Sequence, residues 1–135
     1  MDFSTQLDLF LRSRFTLIVV VSTEERRIIA EVKKLCEEKD RGCLSWDIAD
    51  GFKPVACWKG TPPTAGDPKA ALEVIEKYEK DAVFVLKDFH EVWKQMPIMK
   101  RKLKNVAHGL DFTRKSIIVT CPSNQIPEEL KDEAV

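Results

Sequence analysis

The side chains best placed to do chemistry follow five apolar residues, Ala82 to Leu86, in the order Lys87-Asp88-Phe89-His90. A short run that is apolar throughout suits a parallel strand covered on both faces. In open α/β sheets, functional groups collect just past the carboxyl ends of such strands. Asp88 therefore stands where a carboxylate could hold a magnesium ion, and His90 could move a proton. One carboxylate and one histidine make a sparse ligand set. The plain alternative is that Asp88 caps or hydrogen-bonds the turn that follows.

A nucleotide-hydrolysing site on this architecture needs a phosphate cradle between the first strand and its helix. The pattern is G-x-x-x-x-G-K-[ST], with glycines for close backbone approach and a lysine for phosphate charge. Here that turn reads Val21-Ser22-Thr23-Glu24-Glu25-Arg26, without glycine or lysine. Its two carboxylates complement the positive end of a helix and would repel a phosphate. The stretch Gly60-Thr61-Pro62-Pro63-Thr64-Ala65-Gly66 is no substitute, because each proline removes a backbone N–H that could hold an anion. The cradle is absent, and the stretch reads as surface loop.

Basic side chains gather farther on. Lys94, Lys100, Arg101, Lys102, Lys104, Arg114 and Lys115 face only Glu91 and Asp111 over residues 91–115. Nucleic acid could bind such a segment. Aromatic interleaving is slight, however, and the segment reads more simply as a solvated face. His108 beside Gly109 reads as a helix-end residue. Cys36, Cys43, Cys57 and Cys121 form no C-x-x-C pair and read as structural thiols of a reducing compartment.

The elements that must position these groups alternate. Ser4 is the expected cap of a leading helix carrying Leu7, Phe10 and Leu11 at i, i+3, i+4 spacing. Phe15 to Val21 is the first strand. Ser22 to Glu25 reads as a capping box that opens a helix over Ile28, Ile29, Val32, Leu35 and Cys36. Cys43 to Ile48 alternates as a second strand, and residues 50–67 read as one long loop. Asp67-Pro68 is a helix start, with a run to about Lys80. The strand at 82–86 follows, then a helix from near Pro97 to Gly109, and a fourth strand from Ser116 to Thr120. This pattern predicts an α/β domain, a parallel sheet of about four strands with helices on both faces.

Length and composition agree with one soluble domain of 135 residues, 44% apolar and 33% charged. Lys+Arg and Asp+Glu balance at 22 each, so bulk charge selects no partner. The Met1-Asp2-Phe3 start lacks the features of a signal peptide, and no apolar run is long enough to cross a membrane. The expectation is a cytoplasmic protein that needs no membrane.

As an ordered set, several stretches resemble the amino-terminal region of a family of AAA+ ATPases from bacteria and plastid genomes. They are Leu7 to Phe15, the apolar strand and Ser22 to Arg26, Asp67-Pro68, Val83 to His90, Arg114 to Pro122, and Ile126 to Leu130. The resemblance implies a degenerate, P-loop-NTPase-like domain without the P-loop, ahead of an AAA+ module that uses ATP and Mg²⁺. It makes Asp88 similar to the acidic strand-end residue of a Walker B motif, with Phe89 in place of the catalytic glutamate. Asn124 is similar to a sensor residue. The implied role is a pseudo-ATPase domain that makes protein contacts or regulates the downstream module. Rival readings are a nucleotide-binding enzyme using Asp88 and His90, and a nucleic-acid-binding module using residues 94–115.

The implied strand order, numbering the four strands along the chain, is 1-4-3-2. It leaves Phe15–Val21 at the edge. That strand has no proline, inward charge or glycine to protect it, so a second chain or the leading helix is expected to cover it.

Overall fold

A computed structural model describes residues 2–13, 15–111 and 113–122. The chain opens with α1 (Phe3–Arg12), β1 (Leu17–Val21), α2 (Glu25–Glu38), β2 (Gly42–Asp47) and β3 (Gly51–Ala56). It continues with α3 (Pro68–Lys77), β4 (Ala82–Leu86), α4 (Phe89–Gln95), α5 (Pro97–Gly109) and β5 (Lys115–Cys121). The sheet runs β1-β5-β4-β2-β3, with β1, β5, β4 and β2 parallel and β3 antiparallel to β2. The four expected strands therefore take the expected order.

Period-two alternation divides the strands between two helical layers. Leu44, Trp46, Phe84, Leu86, Ile117 and Val119 pack in one cluster with Leu72 and Ile75 of α3, Phe89 and Trp93 of α4, and Leu103 and Val106 of α5. The opposite face puts Ile18, Val20, Cys43, Val83, Val85 and Ile118 against Leu7 and Leu11 of α1 and Ile28, Val32 and Leu35 of α2. β4 is buried along its whole length, as its five apolar residues require.

Several expected details are corrected. Residues 50–67 are not a single loop, because Gly51–Ala56 forms a fifth strand in register Asp47↔Gly51 and Trp46↔Phe52. Pro54 is tolerated there because β3 is an edge strand, whose outer side needs no ladder donor. α1 is capped by Asp2, whose Oδ1 accepts from the Thr5 N–H at 2.8 Å, and Ser4 lies inside the helix. Ser22 is not the cap of α2. Its Oγ accepts from the Glu24 N–H at 3.0 Å, and Glu24 precedes the first helical residue. α3 stops at Lys77, short of Lys80.

β1 stands at the edge with β5 as its neighbour. α1 covers the face that carries Ile18 and Val20, while no strand pairs with the outer side of β1 among the described residues. At the opposite end of the strands, Arg41 joins three elements. Its guanidinium binds the Asp81 carboxylate and donates to the Arg114 carbonyl. These residues immediately precede β2, β4 and β5, so one side chain fastens the amino ends of three adjacent strands.

Candidate functional site

At the carboxyl end of the sheet the turn from β1 to α2 is three residues long, Ser22 to Glu24. The Ser22 N–H donates to the Cys121 carbonyl at 2.8 Å, which ties this turn to β5. Glu24 pairs with Arg27 at 2.9 Å, and Glu25 occupies the first turn of α2. A phosphate loop must arch around its ligand and present several N–H groups to it. A three-residue acidic turn whose serine already caps a local N–H does neither.

Asp88 lies just past β4, exposed, in the left-handed region with φ of 56°. Aspartate tolerates this conformation better than most residues. Asp88 immediately precedes α4, its carbonyl accepts from the Glu91 N–H at 3.0 Å, and its side chain makes no capping bond. The expectation that its carboxylate caps the next turn is thus corrected: only the Asp88 backbone carbonyl bonds that turn. Phe89 follows it into the core, with its ring edge-on to Trp46 at 6.0 Å and to Trp93 at 6.5 Å. The position next to Asp88 is an apolar anchor.

His90 is buried at 3% exposure. Its Nε2 lies 3.2 Å from Glu91 Oε1, and its Nδ1 is buried without a partner. No hydrogen bond or ion pair joins it to Asp88 among the described residues. A proton carrier must reach its substrate, and His90 faces protein. Among the described residues no cluster of three or more Asp, Glu, His or Cys side chains could hold a metal ion. Asn124 lies outside the described residues.

The basic segment divides in the fold. Lys100, Arg101, Lys102 and Lys104 lie on α5, but Lys115 is 6% exposed inside β5. Its Nζ donates to the carbonyls of Ile75, Glu76 and Tyr78 at 2.7, 3.0 and 2.6 Å. Lys115 therefore belongs to the end of α3 and is removed from any basic surface.

The sequence reading missed a cleft of 490 Å³ between the β2–β3 turn and α4. Asp47, Ile48, Ala49 and Asp50 line it from the turn and Glu91, Val92, Gln95 and Met96 from α4 and its carboxyl end, and Glu25, Lys87 and Asp88 line it as well. The Asp47 carboxylate shapes the turn by accepting from the N–H groups of Ala49 and Asp50 at 3.0 and 2.7 Å. Asp50 pairs with Lys53 at 3.1 Å. Five carboxylates and one lysine line the cleft, a balance that disfavours a polyphosphate. The Asp50-Gly51 pair, a hairpin signal, could have revealed the turn that builds it.

Comparison with known proteins agrees with this geometry. The family model for the SpoVK-like AAA ATPase, N-terminal domain, matches residues 3–135. The AAA domain-containing protein ycf46 of Trieres chinensis is 35% identical over 139 residues, covering 98% of this chain and 27% of that protein. Its namesakes from Pyropia yezoensis and Guillardia theta are 32% and 30% identical, again over 98% of this chain and over 27% and 26% of their own lengths. The chain thus spans about a quarter of the length of these relatives. No solved structure matches it significantly. The strand order, the rim at the carboxyl ends of the strands and the match over nearly every residue lead to one assignment: the chain belongs to the SpoVK-like AAA ATPase N-terminal domain family.

Proposed function

We propose that this domain is a pseudo-ATPase, a non-catalytic unit that contacts and regulates an AAA module following it in the same polypeptide. The observation that carries this reading is the turn after β1. Its three residues form no glycine-rich arch, Glu24 and Glu25 set two carboxylates where a triphosphate would bind, and Arg27 beside them is already paired with Glu24. Phe89 supports it, because the residue after the Walker-B-like Asp88 packs between Trp46 and Trp93 and offers no base to a water molecule. ATP and Mg²⁺ would then be used by the downstream module alone.

Calorimetry of the 135-residue domain with millimolar ATP and Mg²⁺ tests this. The expected outcome is no saturable heat. Saturable binding that disappears in Asp88→Ala would overturn the reading and restore the nucleotide-binding enzyme.

A further inference from the structure

Two of the large apolar side chains most open to solvent line one cleft, and a third follows close in sequence. Ile48 is 63% exposed and Met96 40%, both lining the cleft between the β2–β3 turn and α4, and Ile98, 72% exposed, is two residues beyond Met96. Val92 and Trp46 line the same cleft. Apolar surface gathered into a concave site, rather than scattered, marks a place where another chain is seated. The lining polar groups are Glu25, Asp47, Asp50, Asp88 and Glu91 against Lys87. An occupant must therefore present aliphatic surface together with positive charge.

The topology says where such an occupant can come from. β5 is parallel to β4 in register Leu86↔Val119, so Cys121 emerges at the sheet end that carries the cleft. The matched relatives extend to almost four times the length of this chain. A downstream segment would then reach the cleft as an intramolecular ligand, at an effective concentration on the order of millimolar for a short flexible link. The stretch immediately following is a poor occupant, because Glu128, Glu129, Asp132 and Glu133 outnumber Lys131.

We infer that the Ile48–Met96 cleft seats a lysine-bearing aliphatic segment of the downstream AAA module. This rests on the contact role proposed above and names its surface. The aliphatic side chains of the segment cover Ile48, Met96 and Val92, and its basic groups meet Asp88, Glu91 and Glu25.

Carbodiimide coupling in the full-length protein tests the inference, since it joins a carboxylate to a lysine only where the two already touch. Peptide mapping is expected to find Glu25, Asp88 or Glu91 joined to a lysine of the AAA module in the same molecule. Ile48→Glu, at an exposed position, should lower that yield by about tenfold, the loss that follows from exposing one aliphatic contact and adding a charge. Coupling between copies of the chain alone, coupling to an unrelated protein alone, or none in a folded protein would each overturn it. So would a yield indifferent to Ile48→Glu. Failure of the pseudo-ATPase reading shows separately, as saturable ATP binding to the isolated domain.

Discussion

Lys115 carries an ammonium into the wall of the core and spends its three donors on the carbonyls of Ile75 and Glu76, at the end of α3, and of Tyr78, the residue that follows it. The Ile75 and Glu76 carbonyls have no partners within the helix and form its negative end, so the lysine acts as a distant C-cap. Burial lowers the pKa of this lysine from 10.5, while Glu76 and Glu79 oppose the shift. An unfolded chain therefore binds more protons than the folded one between the lowered value and 10.5, and stability from this group rises with pH across that window. Urea melts over an alkaline series should show the wild-type advantage over Lys115→Met growing as pH approaches 10.5. At neutral pH the substitution should cost about 1.5–3 kcal/mol, the worth of a hydrogen bond to a charged group. Asp67 Oδ1 accepts from the Ala70 N–H at 2.8 Å, and Asp67→Ala should cost about 1 kcal/mol in the same assay. The thiols give a kinetic check. Cys57 is exposed at φ 52°, whereas Cys36, Cys43 and Cys121 are buried. A disulfide reagent should modify one thiol quickly in the native domain, and Cys57→Ser should abolish that phase. Desolvation and the nearby Asp40 and Glu37 raise the Cys57 pKa above 9.0, so the fast rate should still be climbing at pH 9.

At the scale of elements, β4 is the test of the fold. Leu86 is wholly buried in the cluster with Trp46 and Phe89, and Leu86→Ala should destabilise by about 2–5 kcal/mol. A near-neutral urea midpoint would remove β4 from the centre of the sheet. The same residues show how much the sequence discloses. Continuous apolar runs at 17–21 and 82–86, and the shorter run Ile117 to Val119, suit strands buried on both faces, so the parallel sheet and its helices were legible. β3 was not, because Pro54 and Gly51 are loop residues by local propensity. An edge position in a hairpin removes the penalty, and that position is a tertiary fact. α4 was hidden differently. Phe89, Val92 and Trp93 have i, i+3, i+4 spacing, but the helix is seven residues long and Pro97 draws the eye to the next one. As for the site, the place of Asp88 followed from strand polarity alone. The burial of His90 and the cleft facing Ile48 did not, since both depend on how α4 and the hairpin lie against each other.

Across the whole molecule the two ends of the sheet differ. Arg41 fastens the amino ends of β2, β4 and β5, while the carboxyl ends carry the short turns and the open cleft. The two side edges differ as well. β3 shows Lys53 and Pro54 to solvent, a charge and a missing donor that discourage strand addition. β1 has neither device, and its outer side is unpaired among the described residues. We expect any association of this domain with itself to run through β1, the expectation already drawn from the bareness of Phe15–Val21. Having one adhesive edge rather than two then limits stoichiometry. Two copies joined β1 to β1 across a two-fold axis consume both adhesive edges and leave a blunt β3 at each end, so the assembly closes. In sedimentation at rising concentration the mass should level off at two chains. Replacing Lys53 and Pro54 with valine would give each copy a second adhesive edge and let the same interface propagate as a fibre.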